Sequence, residues 1–479
     1  MLKGALMITV LIPIAVLLFI ILCKKLPKIG GNVQAALIIT GILALILGGV
    51  SSPAGWIAAF IDGIDRLAWV IFLSIFGSIY AETQVRIGVI DTIMAALKAR
   101  FGRHPRALVS CIILVLVLAG SLLGDAIAAS TVVGVLTVTT LASMGLEPEM
   151  ICCIIVMGAS MGSIMPPITQ AMALSSSLVN TDPDPVLRLG YLTTGIIIVA
   201  MILFVTRVYI RPSRLTITED GAVESGEKRS GFRILMSNWK SLIPLMLLIV
   251  IVVFRTIGNE SVRFDLVPEL LRNIRHTSAD GTVTDLYTWM TQVTIIKGLS
   301  NGIVLSLVFV TIVTMCAFRS VRQDIGGVIK KGFANVKITV HLQLCAAFML
   351  GCFYAGGQID TVTQFAEGLN PNVLRIGGAA AMALIGMLTG SQATAQNVVF
   401  SFFGPALVAI GLKPTLVALA GANLAAAGQG LPPADLTTFV VAGIVGGMLG
   451  KKVNPIRAMI YMLPMCLCLL AMGLILLYI

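Results

Sequence analysis

The sequence predicts an all-α polytopic membrane protein, and two observations carry this prediction. Hydrophobic residues make up 57% of the 479 residues and charged residues only 11%, whereas soluble domains carry about 25% charge. The apolar residues also come in runs of about 18 or more, which is the length that a helix needs to cross a bilayer. One soluble core could not bury this much apolar surface, so an ordinary cytosolic enzyme is excluded.

The distribution of positive charge predicts the orientation of the chain. The net charge is +11, but the basic residues lie in short loops between apolar runs, as the positive-inside rule describes. No stretch interleaves basic and aromatic residues, so nucleic-acid binding is not expected. The loops assigned to the cytoplasm are Lys24–Lys28, Arg86–Arg106, Arg207–Lys240, Arg319–Lys337 and Lys451–Arg457. The chain is therefore predicted to cross the cell (inner) membrane several times. The mixed-charge loop 258–292 and both termini are predicted to lie on the outer side of that membrane.

About ten transmembrane helices and two re-entrant hairpins follow from this orientation. Two long apolar stretches, 107–180 and 372–449, each exceed one span. The first must cross the membrane an odd number of times, and its middle carries the polar pairs Gly120-Ser121 and Gly124-Asp125. Such a break indicates a hairpin followed by one crossing. Single spans are expected at 5–22, 33–50, 66–82, 189–210, 241–257, 293–317, 338–357 and 455–479.

Three landmarks recur in the two long stretches and indicate an internal repeat. They are Gly-Ser at 120–121 and 390–391, Gly-Leu-x-Pro at 145–148 and 411–414, and Pro-Pro at 166–167 and 432–433. The last two landmarks are 21 residues apart in both copies, whereas the first two are 25 and 21 residues apart, so the hairpins are expected to differ in length. One copy enters from inside and the other from outside. Such inverted repeats are typical of secondary transporters, although a channel can also carry them.

The repeat divides the chain into four parts. Residues 1–106 are expected to form N-terminal scaffold helices, and 107–210 the first transport repeat. The part 211–371 contains a polar cytoplasmic linker (211–240), further scaffold helices and the external loop. Residues 372–479 form the second, inverted repeat and the last helix.

Each repeat predicts a site where a hairpin tip meets a broken helix. Pro-Pro prevents helix continuation, and the freed carbonyls at such a break can coordinate a cation while a half-helix N-terminus faces an anion. Two such pairs predict two ion sites with a substrate between them. Thr169 and Asn423 flank the breaks and are assigned to the substrate.

The two hairpin tips carry different polar groups. Asp125 is the clearest acid within an apolar stretch, and a carboxylate at mid-bilayer costs about 2.5–3.5 kcal/mol on insertion scales, which predicts a cation or proton role. The alternative is that Asp125 is solvated or caps a half-helix. The second tip is uncharged and suits either an ion shell, to which we assign Thr394, or a polar substrate, to which we assign Gln392, Gln396 and Asn397.

At these residues the chain resembles the large membrane subunit of TRAP transporters (DctM-type), within the ion-transporter superfamily. The resemblance lies in Phe76–Thr83, Phe101–Ala107, Gly120–Ser130, Gly158–Pro167 and Gly411–Pro433. It implies an elevator-type transporter that imports a small organic acid, such as a C4-dicarboxylate, with Na+. It also implies a small membrane subunit and a soluble substrate-binding protein as candidate partners. The ion ligands that it implies lie around Ser121, Gly162, Pro166, Ser391, Gly428 and Pro432.

Several alternatives stay open on the sequence alone. A standalone permease of the gluconate or lactate type, or an Na+/H+ antiporter, shares the hairpin pattern, and the coupling ion could be H+. An enzyme is not expected, since the sequence has no His-Glu-x-x-His, no Gly-x-Ser-x-Gly and no paired catalytic acids. No cofactor is expected, and no metal beyond Na+. A binding or assembly subunit that does not itself transport is disfavoured by the doubled hairpins.

Overall fold

The computed structural model describes residues 2–23, 27, 29–101, 104–210, 231–257, 266–277, 283–366 and 368–479. Lys24, Lys25, Lys28 and Arg103 of the predicted cytoplasmic loops lie outside the described residues. So do residues 211–230 of the predicted linker and residues 258–265 and 278–282 of the predicted external loop.

The described chain is almost wholly helical. Strands β1 (Arg275–Thr277) and β2 (Val283–Asp285) pair antiparallel within the loop that is predicted to be external. Single π-helical turns occur at Ser130–Gly134, Val205–Tyr209 and Gln396–Phe400, and a 3₁₀ turn at Ile296–Gly298. The α-helices are α1 (Leu2–Leu22), α2 (Val33–Leu47), α3 (Pro53–Arg86), α4 (Val89–Phe101), α5 (Pro105–Leu123), α6 (Ala126–Ala129), α7 (Val135–Ala142), α8 (Pro148–Ile164), α9 (Gln170–Leu178), α10 (Pro183–Phe204), α11 (Gly231–Ser237), α12 (Trp239–Ile257), α13 (Leu266–Arg272), α14 (Leu286–Gln292), α15 (Gly302–Ala317), α16 (Arg319–Arg322), α17 (Ile325–Ala355), α18 (Gln358–Ala366), α19 (Pro371–Thr389), α20 (Gln392–Ala395), α21 (Ser401–Ala409), α22 (Pro414–Gly430), α23 (Leu436–Leu449) and α24 (Pro455–Tyr478).

Proline and glycine explain where the helices of the repeats begin and end. Pro148 and Pro414 stand in the first turns of α8 and α22, where the missing N–H costs nothing. Gly145 and Gly411, just before them, have φ of 75° and 92°, in the left-handed region that favours glycine. The Gly-Leu-x-Pro landmark is therefore a helix stop, a turn and a helix start.

Two long helices form the centre of the scaffold. Helix α3 has 34 residues and α17 has 31, and they pack along much of their length, with α2 and α15 alongside. Helix α3 extends beyond the predicted span 66–82 at both ends, whereas α17 begins before the predicted span 338–357 and ends at Ala355. Polar side chains in the added turns are paired. Arg66 donates to Asp62 at 2.7 Å, and the buried Glu82 pairs with Lys331 at 3.1 Å.

The helix–tip–helix segment predicted in each repeat and the two broken helices are present, while re-entry of each hairpin from one side of the membrane stays a prediction. Helices α5 and α19 each have 19 residues, and each packs against the helical segment that follows its tip. Helices α8 and α22 each have 17 residues and end at a Pro-Pro pair. Corresponding positions of the two copies are separated by 266 residues, as Pro166 and Pro432 are.

The predicted match of Gly120-Ser121 with Gly390-Ser391 was wrong. With the separation of 266, Gly390 corresponds to Gly124, and both glycines end a first hairpin arm in the left-handed conformation, with φ of 63° and 65°. The two hairpins therefore have the same length, although the sequence predicted different lengths. The error arose because a short Gly-Ser pair occurs by chance four residues before the true tip.

The described helices agree with a multi-pass membrane protein. Judged by length and apolar composition alone, five of them could cross a bilayer. They are Pro105–Leu123, Pro183–Tyr209, Ile325–Ala355, Pro371–Thr389 and Pro455–Tyr478. Helices α11 and α12 pass the same test together but are bent by 86°. The count of ten crossings, the positions of the termini and the four-part domain division stay predictions.

Candidate functional site

The first hairpin tip contacts the first helix break directly. The tip is formed by residues 124–125 and the break by residues 165–169. Near the tip, the buried Ser121 donates from Oγ to the carbonyl of Pro166 at 2.8 Å, and the backbone N–H of Ile168 donates to the carbonyl of Ser121 at 3.2 Å. These bonds hold the end of the first hairpin arm against the non-helical backbone that the two prolines create.

The second hairpin tip (residues 390–391) contacts the second break (residues 431–435) in a different way. The backbone N–H of Gln392 donates to Oε1 of Gln429 at 3.1 Å, and Nε2 of Gln429 donates to Thr437 at 3.2 Å. The N–H of Leu436 points to the carbonyl of Gly390 at 3.5 Å. Gln429 thus connects the tip to both sides of the break.

One carboxylate lies in each tip-and-break pair. It lies at the tip in the first repeat and at the break in the second. Asp125 caps the segment after the first tip and accepts from the N–H of Ala128 at 2.7 Å. In the second repeat the corresponding residue is Ser391, which caps in the same way. At the breaks the order is reversed, since Thr169 caps α9 and its counterpart Asp435 caps α23. Each pair therefore presents one acid and one hydroxyl.

Neither carboxylate has a basic partner within the described part of the chain. Asp125 is half-buried, and Asp435 is fully buried and accepts from the N–H groups of Thr437 and Thr438 at 3.1 Å each. The described ion pairs elsewhere, such as Glu82 with Lys331, involve neither acid. Breaking a buried ion pair by removing one partner costs about 3–5 kcal/mol, so a buried acid without a basic neighbour favours a bound cation or a proton.

Paired glycines bring the hairpin arms close to the broken helices. A Cβ added to Gly120 would lie 2.7 Å from the carbonyl oxygen of Ala159 and from Cα of Gly162. The second repeat has the same contact between Gly386 and Gly428. Gly162 and Gly428, for which the resemblance implies ion binding, therefore lie where the two helix backbones touch.

We expect Gly120→Ala to lower the free energy of unfolding by about 1–3 kcal/mol, because overpacking a tight contact forces backbone shifts. Thermal unfolding of the purified protein measures the change. Gly195→Ala is the matched control, since Gly195 lies in α10 and a Cβ there meets no atom within 4 Å. Equal melting temperatures for the two variants would contradict this role of Gly120.

Two amide side chains of the second hairpin face the first repeat. Nε2 of Gln396 donates to the carbonyl of Ala171 and to Oγ of Ser175, both at 2.7 Å. Nε2 of Gln392 reaches Oγ of Ser163 at 3.4 Å. The second hairpin therefore contacts both halves of the first broken helix, so the two repeats interlock at their polar centres.

Three buried amide side chains of the second repeat each keep an atom without a hydrogen-bond partner. The atoms are Oε1 of Gln396, Nδ2 of Asn397 and Oδ1 of Asn423, whose side chains are 1%, 2% and 0% exposed. A buried polar atom left unsatisfied costs about 1–3 kcal/mol. Buried polar groups are normally satisfied in native proteins, and a polar partner such as a substrate would satisfy these three atoms.

Apart from Gly162 and Gly428 at the helix contacts, the predicted site residues fall into three groups. Ser121, Asp125, Pro166 and Thr169 meet at the first tip and break, while Ser391, Thr394 and Gln392 lie at the second tip and Pro432 at the second break. Gln396, Asn397 and Asn423 form the unsatisfied amide set. Asp435 and Gln429, beside the second break, are candidate functional residues for which the sequence predicted no role. The separation of 266 residues, which makes Asp435 the counterpart of Thr169, is the signal that finds it.

The tip-and-break pairs offer oxygen ligands, which hard cations take. Among the described residues, no group of three or more His, Cys, Asp or Glu side chains could hold a metal ion. Each tip and break instead offers one carboxylate, one hydroxyl and backbone carbonyls. Unwound carbonyls beside half-helices are the Na+ ligands of broken-helix transporters.

Comparison with known proteins identifies the fold. No protein-family model and no curated protein matches the sequence. The structure is similar to that of MtrF from Neisseria gonorrhoeae, described with a class of antimetabolite efflux pumps, with a TM-score of 0.61 at 15% identity over 97% of this chain and 96% of that chain. It is also similar to the YdaH transporter from Alcanivorax borkumensis, with a TM-score of 0.56 at 14% identity over 99% and 96%.

These similarities show an all-α, multi-pass membrane fold that two transport proteins share. Since both neighbours are described as a pump or a transporter, they agree with the prediction that the chain is not an enzyme. Neither is described as a TRAP subunit, so the TRAP resemblance gains no support from them. At this level of identity the comparisons identify a fold and leave the substrate and the coupling ion to the site itself.

Proposed function

We propose that the chain is a secondary transporter that couples movement of a small organic acid, such as a C4-dicarboxylate, to Na+. The observation that carries the proposal is the pair of carboxylates Asp125 and Asp435, one in each tip-and-break pair and neither with a basic partner among the described residues. A cation bound beside each acid would offset the cost of burying its charge. Hydroxyl and carbonyl oxygens complete a hard-cation ligand set.

The substrate would bind between the two cation sites, at the unsatisfied amides. Gln396, Asn397 and Asn423 offer two acceptors and one donor, which suits a molecule with both hydroxyl and carboxylate groups. The cations would reduce the repulsion between a negatively charged substrate and the two acids. Binding of cation and acid would then be mutually favourable, which is the energetic requirement for coupled transport.

Movement of the tip-and-break region against the α3–α17 scaffold would give the elevator mechanism that the resemblance implies. Contacts between the two parts include the indole N–H of Trp69, which donates to Oγ of Ser177 in α9 at 2.6 Å. The TRAP-type form of this proposal adds a small membrane subunit and a soluble binding protein. The standalone form does not need them. H+ in place of Na+ would give a proton-coupled form, and exchange of Na+ for H+ without an acid substrate would give the antiporter form.

We expect Asn423→Leu to raise the melting temperature of the substrate-free protein and to weaken substrate binding. The variant removes a buried, unsatisfied oxygen, whose burial costs about 1–3 kcal/mol, and it also removes a substrate contact worth at least about fivefold in KM. Thermal unfolding and the concentration dependence of uptake measure the two effects.

Thr40→Val is the matched control for Asn423→Leu. Oγ1 of Thr40 is also buried and unsatisfied, but it lies in scaffold helix α2. This variant should raise the melting temperature and leave KM unchanged. If Asn423→Leu lowered stability and left KM unchanged, the assignment of Asn423 to the substrate would be wrong.

Uptake by proteoliposomes that contain this chain alone tests the proposed function. A panel of labelled mono- and dicarboxylates is offered under an Na+ gradient and then under a pH gradient. Na+-driven uptake supports the standalone form, whereas uptake only after adding a binding protein supports the TRAP form. Cation flux driven by pH without any acid movement would replace the proposal with the antiporter form.

Export is the second candidate direction. It is favoured by the similarity over the whole chain to MtrF, which is described with antimetabolite efflux pumps. The same proteoliposomes, loaded with substrate and placed in an inward cation gradient, distinguish the directions. Loss of substrate from the vesicles under that gradient supports export, and accumulation supports import.

A further inference from the structure

The short helix α11 and the first turn of α12 expose large apolar side chains on both sides of a sharp bend. The two helices meet at 86° around Asn238. Phe232 and Met236 of α11 and Trp239 of α12 are 70%, 55% and 51% exposed. Large apolar side chains that are exposed together mark a contact surface. The transport proposal does not use this surface.

The exposed surface of α11 continues along α12. Large apolar side chains are exposed along α12 at intervals of three or four residues, the spacing of one helix face, and they are Trp239, Ile243, Met246, Val250 and Phe254. The same intervals hold across the bend, from 232 to 236 and from 236 to 239. On an apolar helix of a membrane protein such a face meets lipid acyl chains. The lipid-facing surface therefore extends from α12 onto α11.

The bend and the contact with α4 set the orientation of α11. If α12 runs along the membrane normal, a bend of 86° places α11 parallel to the membrane surface. One side of α11 packs on α4, since a Cβ added to the buried Gly231 would lie 2.3 Å from the carbonyl oxygen of Ala96 and 3.1 Å from Cβ of Arg100. The side that carries Phe232 and Met236 stays open.

Basic side chains border the open side of α11. Arg233 and Lys240 are exposed, and neither forms an ion pair within the described part of the chain. Arg100 of α4 is also exposed, beside the start of α11. Residues 231–257 contain no Asp or Glu, so no acid on α11 or α12 neutralises this positive charge.

This combination is typical of a segment in the membrane interface. Tryptophan lies at the level of the lipid headgroups, and an interfacial helix places its apolar side chains among acyl chains while its basic side chains reach the headgroups. Arginine binds phosphate through two parallel hydrogen bonds, and basic side chains next to a membrane span attract anionic lipids. Free phosphate would satisfy Arg233 and Lys240 but leave Trp239 in water, whereas an anionic phospholipid satisfies both kinds of side chain.

We propose that α11 lies in the membrane interface and that Arg233 and Lys240 bind the headgroup of an anionic phospholipid. The acyl chains of this lipid would pack against Phe232, Met236 and Trp239. The lipid would thereby hold the bend between α11 and α12 at the membrane surface. This site is independent of the transport proposal, and its tests need no transport.

Quenching of tryptophan fluorescence by brominated phospholipids tests the position of α11. The full chain is reconstituted into lipid vesicles, and the quenching seen in Trp239→Phe is subtracted from that of wild type, which isolates Trp239 among the four tryptophans. We expect bromines at the headgroup end of the acyl chains to quench Trp239 more strongly than bromines at the methyl end. Stronger quenching from the methyl end, or no quenching from either, would overturn the interfacial position.

The preference for an anionic headgroup tests the two basic side chains. Brominated phosphatidylglycerol should quench Trp239 at a mole fraction about 25-fold lower than brominated phosphatidylcholine, because each basic side chain near an anionic lipid contributes about fivefold. Arg233→Gln and Lys240→Gln should each reduce the preference to about fivefold. The double variant Arg233→Gln/Lys240→Gln should show no preference.

Arg319→Gln/Lys330→Gln is the matched control for the loss of two positive charges. Both side chains are exposed, but they belong to α16 and α17, so the control should keep the preference of wild type. Equal loss in the control, or an unchanged preference in Arg233→Gln/Lys240→Gln, would overturn the headgroup site. If inorganic phosphate abolished the preference and chloride of equal ionic strength did not, the site would bind free phosphate and the lipid assignment would be wrong.

Discussion

Asp125→Asn and Asp435→Asn are each expected to reduce cation-driven uptake at least about 100-fold. Removing one partner of a buried charge pair costs about 3–5 kcal/mol, and each 1.4 kcal/mol is a factor of ten. Asparagine caps helices as well as aspartate does, so the hydrogen bond that residue 125 accepts from the N–H of Ala128 can be kept while the charge is lost. Initial rates of labelled uptake in proteoliposomes measure the effect.

Asp285→Asn is the control for the loss of a capping charge. Asp285 caps α14 in the predicted external loop and accepts from the N–H of Thr288 at 2.8 Å. A surface substitution of this kind usually changes stability by no more than about 0.5 kcal/mol, so uptake should stay close to wild type. If Asp125→Asn retained normal uptake and normal dependence on the cation, the half-helix cap would be its whole role.

The exchange of acid and hydroxyl between the repeats predicts a rescue. Asp125→Ser alone should abolish coupled uptake. The double variant Asp125→Ser/Thr169→Asp moves the carboxylate from the tip to the break and gives the first repeat the arrangement seen at Ser391 and Asp435. Since aspartate is a favoured N-cap and one carboxylate is restored, we expect uptake to recover at least about tenfold, which corresponds to about 1.4 kcal/mol.

A second double variant tests whether the rescue needs the site. Asp125→Ser/Ser52→Asp places a new acid at the N-cap of scaffold helix α3, where Ser52 accepts from the N–H of Gly55 at 3.1 Å. It should remain as inactive as Asp125→Ser. Recovery in this variant, or no recovery with Thr169→Asp, would show that the two repeats do not share one type of cation site.

Much of the architecture could be predicted from the proline and glycine residues that begin or end helices. Pro-Pro inside an apolar run ends a helix because two backbone donors are lost and the ring clashes with the preceding turn, and both predicted breaks are present at Pro166 and Pro432. The Gly-Leu-x-Pro landmarks, which indicated the repeat, coincide with the starts of α8 and α22, where proline is tolerated in the first turn. These signals are reliable because they depend on backbone geometry within a few residues.

The details of the site could not be read from local signals. The contact of Gly120 with Gly162 joins residues on separate helices. Which amide atoms of Gln396 and Asn423 stay unsatisfied depends on which neighbouring groups form hydrogen bonds with their other atoms. The true tip could have been found by requiring one constant separation for all landmarks. That test would have replaced Ser121 by Asp125 as the partner of Ser391, and it would have identified Asp435.

The central claim is that each repeat binds one Na+ with one carboxylate, and counting bound Na+ tests it most directly. Isothermal titration calorimetry of the purified full chain should give two Na+ for wild type, one for Asp125→Asn or Asp435→Asn, and none for the double variant. Unchanged binding in the double variant, or no Na+ binding by wild type, would contradict the claim.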